Sequence, residues 1–264
     1  MLFRLPSLLA CLLFTAHSNG EQSAQAPLPD ESYTCTHPPY KVHVFSKSPL
    51  VIYITHFITP EERAHLLDIT AGTFSSSLAS SGSSGPGIYN TRKSQSTSVQ
   101  RTPIVRCIET RALRFQGFDV PRTHLEPLQL VSYTQKQSFH YHTDWFPVEA
   151  VAADHSGNRA SSFFAYVQAQ NLTGGGTNFP LLDAPRDERW CDYVDCDEEI
   201  EKGVTFRPVE GNAVFWMNLL EDGRGDDRTL HAGLPVTSGN KVGMNIWTRQ
   251  GVVPEELRGT DTDD

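Results

Sequence analysis

The sequence predicts a mainly β domain with supporting helices on its N-terminal side and a jelly-roll-like double sheet at its core. Three observations carry that expectation. From Leu128 onward, short runs of apolar and β-branched residues are broken by Gly, Pro and Asn turns, the pattern of a sandwich or barrel. Two strong helix starts, at Thr59 and Thr102, both fall before that region. Setting aside an N-terminal leader, about 230 residues remain, a size that all-β architectures often reach undivided.

The elements follow in chain order. Arg4 supplies an early positive charge, the run Leu8-Leu9-Ala10-Cys11-Leu12-Leu13-Phe14 is apolar, and small or polar residues follow to Gly20. Residues 1–20 therefore read as a cleavable signal peptide, the apolar run being shorter than the roughly 20 residues needed to span a bilayer. Residues 21–33 carry no apolar periodicity and read as a linker, residues 34–252 as the folded domain, and residues 253–264 as an acidic, frayed tail. Apolar and polar residues roughly alternate from Tyr40 to His56, with Val51-Ile52-Tyr53-Ile54 a buried strand. Thr59-Pro60-Glu61-Glu62 offers a capping hydroxyl, proline at the first helical position and glutamate at the third, and opens a helix to about Ile69. Thr102-Pro103 opens a second, with Ile104, Ile108, Ala112 and Phe115 at helical spacing and a stop at Gly117. Between them the Ser/Gly-rich residues 75–87 read as a mobile loop. Strands are expected at 128–133, 162–168, 203–208, 212–216 and 242–249.

Composition narrows the function classes. A net charge of −9 without a basic block argues against nucleic acid as a partner, because such binding rests on clustered Lys and Arg. No later segment is apolar enough for a membrane anchor. Apart from Cys11 in the leader, four cysteines remain, an even number that suggests disulfides in an oxidising compartment. Cys191 and Cys196 enclose a short loop and suit each other, which leaves Cys35 for Cys107, though three connectivities are possible. Asn171-Leu172-Thr173 is a glycosylation sequon and agrees with a route through the endoplasmic reticulum, to residence there or to secretion.

The chemistry centres on His140-Tyr141-His142-Thr143-Asp144. On an extended strand, residues two apart share a face, so His142 and Asp144 would project together about 6.6 Å apart along the chain. With a distant third ligand they could form a two-histidine, one-carboxylate face, a donor set suited to Fe(II) with positions left open for oxygen. His140 shares the same face, so spacing alone leaves His140/His142 and His142/Asp144 both possible as the metal pair.

The downstream run His231-Ala232-Gly233-Leu234-Pro235-Val236, with Lys241 ten residues after the histidine and Trp247 six further on, resembles the C-terminal signature of the prolyl 4-hydroxylase family. Gly174-Gly175-Gly176-Thr177-Asn178-Phe179-Pro180 is similar to that family's "GGxTxFP" turn, and Gly211-Asn212-Ala213-Val214-Phe215-Trp216 to its "GxAxxF" strand. Asn90-Thr91-Arg92-Lys93-Ser94 and Glu126-Pro127-Leu128-Gln129 fit more loosely, and the likeness runs from about residue 45 to 250. The resemblance implies a double-stranded β-helix and a hydroxylase that uses Fe(II), 2-oxoglutarate and O2, with L-ascorbate among its cofactors. It implies His142, Asp144 and His231 as iron ligands and Lys241 as the anchor for 2-oxoglutarate, helped by Tyr133 and Thr177. Arg159, Trp247 and Arg92 sit where the family meets its substrate. The chain departs from the family at Lys136 in place of a glycine, Phe139 in place of a tyrosine and Tyr141 in place of a proline. Peptide or protein hydroxylation, oxygenation of a small molecule on the same fold, and ligand binding without turnover are the three readings. None requires a second subunit.

Overall fold

The computed structural model describes residues 33–76, 94–117, 119–152 and 156–259. The expected signal peptide, nearly all of the linker, most of the Ser/Gly loop and Arg92 lie outside the described residues. In chain order the elements are β1 (Lys41–Lys47), β2 (Leu50–Thr55), α1 (Pro60–Ile69), β3 (Ser75–Ser76), β4 (Gln95–Ser98), α2 (Pro103–Gln116), β5 (Gln129–Tyr133) and β6 (Phe139–His142). There follow α3 (Val148–Ala152), β7 (Arg159–Gly174), β8 (Thr177–Phe179), β9 (Val204–Phe206), β10 (Ala213–Met217), β11 (His231–Gly233), β12 (Val236–Arg249) and α4 (Glu255–Arg258).

Both long helices begin where the sequence places them, for the stated reason. The Thr59 hydroxyl accepts from the Glu62 amide at 3.1 Å while the Glu62 carboxylate accepts from the Thr59 amide at 2.8 Å, closing a capping box. Thr102 caps α2 through the Val105 amide at 3.3 Å, and Gly117 ends it at φ 121°, a backbone setting that a side chain would strain.

Among the described residues twelve strands form two antiparallel sheets, eight in the order β1-β2-β10-β7-β12-β5-β4-β3 and four in the order β6-β11-β8-β9. The larger sheet is covered on both faces, so its central strands read as continuous apolar runs. Along β7, Phe163, Ala165 and Val167 pack towards α1 and α2, whereas Phe164 and Tyr166 face the smaller sheet. In β2, Ile52 and Ile54 take the helical side and Val51 and Tyr53 the inter-sheet side.

Several boundaries differ from expectation. β7 and β12 run well beyond 162–168 and 242–249, because their polar ends continue to pair, Val236 with Gly174 and Asn240 with Gln170. β9 is shorter than 203–208, since Pro208 cannot extend the ladder. The segment expected to fray after residue 252 is packed in its first half. Val253 is buried and donates its amide to Thr123, and α4 offers the Arg258 carbonyl to Arg101. α2 also buries two charged residues, which periodicity did not foresee. Arg111 binds both oxygens of Glu62 at 2.6 and 2.7 Å, and Glu109 bridges Arg101 and Arg122. Burial of Glu62, Glu109 and Arg111 is tolerated because each charge is paired and hydrogen-bonded.

Cys35 is bonded to Cys107 and Cys191 to Cys196. The first staples the N-terminal strap to α2 across 72 positions, the second closes a loop across 5. Closing the longer loop removes more freedom from the unfolded chain. Replacing both cysteines of the first bridge by serine is expected to cost about 4 kcal/mol, and of the second about 2 kcal/mol. Urea midpoints of the two double mutants would read this order; equal losses would contradict it.

Candidate active site

The smaller sheet presents two histidines to the space between the sheets. His142 closes β6 and His231 opens β11, and the two are direct cross-strand partners with ring centroids 4.3 Å apart. A bulge in β6, three steps from Phe139 to His142 against two from Gly233 to His231, breaks strict alternation there. Its consequence is that His140 is exposed, while Phe139 stacks on the His142 ring at 3.7 Å. The expected sharing of a face by His140 and His142 is therefore corrected, and the metal pair containing His140 falls away.

Asp144 is not on the strand as spacing suggested. The chain leaves β6 after His142, and a turn carries the carboxylate inward. Asn158 holds that turn to the start of β7, accepting from the Phe146 amide at 2.8 Å and donating to its carbonyl at 3.0 Å. Gly225 lets the Trp145 ring lie against the backbone, where a Cβ would stand 2.1 Å from it. His142, Asp144 and His231 are all buried, and one ligand atom from each lies within 4.8 Å of the others.

The protonation pattern suits a metal. His142 Nδ1 sits 2.7 Å from the His140 carbonyl and His231 Nδ1 2.9 Å from the Thr229 carbonyl. A carbonyl only accepts, so each Nδ1 carries the proton and each Nε2 offers a lone pair inward. The Nε2 atoms lie 3.8 Å from Asp144 Oδ1 and 3.9 Å from Oδ2 respectively. Burial by itself pushes the Asp144 carboxyl up. The imidazoles of His231 and His142, then Arg159 and the Ser162 hydroxyl, outweigh it and hold the group at about 2. Two imidazoles with Nε2 turned inward and one carboxylate on one side, with a cleft on the other, fit an Fe(II) ion that keeps open positions.

The cleft has a volume of about 490 Å³ and is lined by Tyr133, Phe139, Phe164, Thr177, Arg159 and Trp247 besides the three candidate ligands. Behind its wall lies Lys241 on β12, fully buried and paired in register with Tyr133. Its Nζ donates to the Gly175 carbonyl and stands 4.6 Å from the Tyr133 ring and 5.4 Å from the Phe164 ring. Among the described residues it has no carboxylate partner, and burial drives its pKa down to about 7. A buried ammonium in this state fits an acidic ligand entering the cleft. The Thr177 hydroxyl shares a 2.9 Å hydrogen bond with Tyr166 beside it.

At the mouth, Arg159 is held at 2.8 Å by both oxygens of Glu126 and stacks 3.7 Å above the Trp247 ring. Arg249 shares Glu126 at 3.3 Å. Trp247 donates its indole N–H to Asp144 Oδ2 at 3.0 Å. Ser162 on β7 donates to the same oxygen at 2.6 Å and accepts from Asn218 at 2.9 Å. Ser162, Asn218 and Glu126 were missed in the sequence; the available signal was a hydroxyl within the apolar run Ser162-Phe163-Phe164-Ala165. A second His/Cys grouping, Cys35, His37 and Cys107, has its sulfurs committed to a disulfide.

The profile of the 2OG-Fe(II) oxygenase superfamily matches residues 128–249, the stretch from β5 to the end of β12 that carries His142, Asp144, His231 and Lys241. The chain is thus a 2-oxoglutarate- and Fe(II)-dependent oxygenase. More narrowly, it belongs to the prolyl 4-hydroxylase family. It is 30% identical over 215 residues to prolyl 4-hydroxylase 1 of Arabidopsis thaliana, covering 80% of this chain and 72% of that one. It is 27% identical to prolyl 4-hydroxylase subunit alpha-3 of Rattus norvegicus, over 80% of this chain and 36% of the rat subunit. The fold is shared with the viral collagen prolyl hydroxylase of Paramecium bursaria Chlorella virus 1 in its 2-oxoglutarate complex. That match has a TM-score of 0.53 and 21% identity, over 75% of this chain and 95% of the viral one.

Proposed function

We propose that the chain hydroxylates a prolyl-type residue in a peptide or protein, with Fe(II) held by His142, Asp144 and His231 and 2-oxoglutarate anchored by Lys241. The observation that carries this reading is that a buried His-Asp-His cluster lines a cleft behind whose wall, against Tyr133 and Phe164, lies a fully buried lysine with no carboxylate partner among the described residues. When bound, iron and 2-oxoglutarate supply the oxidising power, the cosubstrate leaving as succinate and CO2 while one oxygen atom enters the substrate. The protein's own residues position and exclude. The two Nδ1–carbonyl bonds fix each imidazole with Nε2 inward. Lys241 supplies the positive charge for the far carboxylate, flanked by Tyr133 and by Thr177, whose hydroxyl is available on the cleft wall. Phe139, Phe164 and Trp247 keep the cleft wall apolar, which limits access of water to the reacting carbon.

Substrate meets the mouth formed by Arg159, Glu126 and Arg249, with Arg92 as a further contact by family likeness. The leader pattern, the two disulfides and an exposed Asn171 in its sequon support an enzyme of the secretory pathway, in the endoplasmic reticulum or secreted. Among the described residues no helix is long and apolar enough to cross a membrane. L-ascorbate belongs in the assay as the reductant for iron. One observation favours a second reading, a small cyclic molecule as substrate. Phe139 lines the cleft where the family carries a tyrosine, so this position offers no hydroxyl to a polar substrate group.

Succinate formation by anaerobically iron-loaded protein, with and without a proline-rich peptide, tests the proposal. Peptide-stimulated turnover that falls to the protein-free blank in His231→Ala is the expected result. Slow turnover indifferent to the peptide but dependent on His231 would move the substrate to small molecules. No turnover by protein that binds both iron and 2-oxoglutarate would leave a binding module.

A further inference from the structure

Family likeness places Trp247 against substrate, yet its polar atom points elsewhere. Asp144 Oδ2 receives two hydrogen bonds, from Ser162 Oγ at 2.6 Å and from Trp247 Nε1 at 3.0 Å. A carboxylate oxygen has two lone pairs in the carboxylate plane, so these two donors use up the acceptor capacity of Oδ2. Oδ2 also stands 3.9 Å from His231 Nε2, but with both lone pairs engaged it leaves Oδ1, 3.8 Å from His142 Nε2, as the free oxygen.

Both donors are themselves committed. Ser162 accepts from Asn218 Nδ2 at 2.9 Å, which turns its single O–H towards Asp144. Ser162 and Trp247 are direct partners across β7 and β12, so the ladder sets the two donors side by side. The Trp247 ring is only 9% exposed, and the Arg159 guanidinium lies on it at 3.7 Å, fixed in turn by Glu126. One face and the N–H of the indole are therefore in use before any substrate arrives.

We infer that Trp247 acts as a positioning residue rather than a substrate contact: with Ser162 it occupies Asp144 Oδ2 and leaves Oδ1 as the oxygen free to bind the metal. A carboxylate held to one oxygen takes a single coordination position, which keeps three positions free for cosubstrate and oxygen. This rests on the reading of His142, Asp144 and His231 as metal ligands, and the test separates the two ideas.

The test is anaerobic titration of metal-free protein with Co(II), followed by the visible spectrum of the Co(II) form, for the parent, Trp247→Phe, Ser162→Ala and Ser161→Ala. Loss of either donor is expected to weaken Co(II) binding about tenfold, the lower end for residues that orient a ligand. It should also change the cobalt spectrum, because a freed Oδ2 can close on the ion and raise its coordination number. Ser161→Ala, whose hydroxyl bonds Gln116 on the other face of β7, should match the parent. Circular dichroism melting confirms that each variant is folded at the titration temperature, and Ser162→Ala decides alone if Trp247→Phe does not fold. Unchanged Co(II) affinity and spectrum in the folded variants would overturn the inference. A parent that binds no Co(II) would overturn the ligand assignment itself.

Discussion

A Lys241→Met chain is expected to be harder to unfold than the parent and yet unable to hold 2-oxoglutarate. Lys241 is fully buried, and without ligand its charge is met only by the Gly175 carbonyl and the faces of Tyr133 and Phe164. Those contacts do not offset the lost hydration, which is why its pKa sits at about 7 instead of 10.5. Between those two values the unfolded chain binds a proton that the folded chain does not, so parent stability rises with pH across that window. The gain from methionine is therefore largest at pH 7 and below, about 2–4 kcal/mol, and shrinks towards pH 10. The loss runs the other way. Removing one partner of a buried, hydrogen-bonded charge pair costs enough to weaken 2-oxoglutarate about a hundredfold or more. In the parent, cosubstrate affinity should also decline above pH 7, by at most tenfold per unit, because the dicarboxylate selects the charged amine. Calorimetric titration at pH 6.5, 7.5 and 8.5 beside thermal melts would read both effects. Wild-type-like 2-oxoglutarate binding by the methionine variant would remove Lys241 from the site.

The second large effect belongs to Asp144→Asn, and it should exceed what loss of one charge explains. Two donors converge on Oδ2, so the asparagine must turn its carbonyl oxygen towards Ser162 and Trp247. Its NH2 group then occupies the place of Oδ1 and aims hydrogens at His142 Nε2 and the ion. Metal affinity is expected to fall about a thousandfold, the upper range for leaving a buried charged site without its partner. Asp144→Glu, which keeps the charge but not the reach, should fall less. The order of the two variants in a metal-competition titration is the check, and an asparagine variant that binds as well as the parent would refute the geometry. Because the Asp144 pKa is held at about 2, below the usual carboxylate range, its contribution to stability is complete above pH 4 and is lost as pH falls towards 2.

Local chemistry made the helices readable in the sequence. Thr59 to Glu62 and Thr102-Pro103 are stop-and-start signals that need nothing from the rest of the chain, and Gly117 supplies the end of α2. The long central strands were readable as apolar runs, although not their polar extensions. β8 and β11 were not, since three residues such as Thr177-Asn178-Phe179 give no period to detect, and β6 was read as a strand that ran on to Asp144. The ambiguity between His140 and Asp144 has the same origin. Two-residue alternation is the rule that spacing arguments rest on, and a bulge is where that rule is suspended. Glu62, Glu109 and Arg111 show the remaining limit, because burial of charge depends on partners 49 positions away, or 8 and 13, that periodicity does not pair.

Both imidazoles stand on the four-stranded sheet, whereas the residues gripping Asp144, namely Ser162 and Trp247, belong to the eight-stranded one. An ion bound by all three ligands is thus a rivet through two separate plates. Without it, β6 and β11 are held to the larger plate by packing, by their short connections and by a few backbone bonds such as Val236 to Gln137, and binding free energy that would add to stability is missing. Local opening of β6 and β11 is then easier than in the loaded protein, and proteases act on the open fraction. The lifetime of this chain in a cell would accordingly follow iron supply: molecules that never load the ion are the ones cleared first.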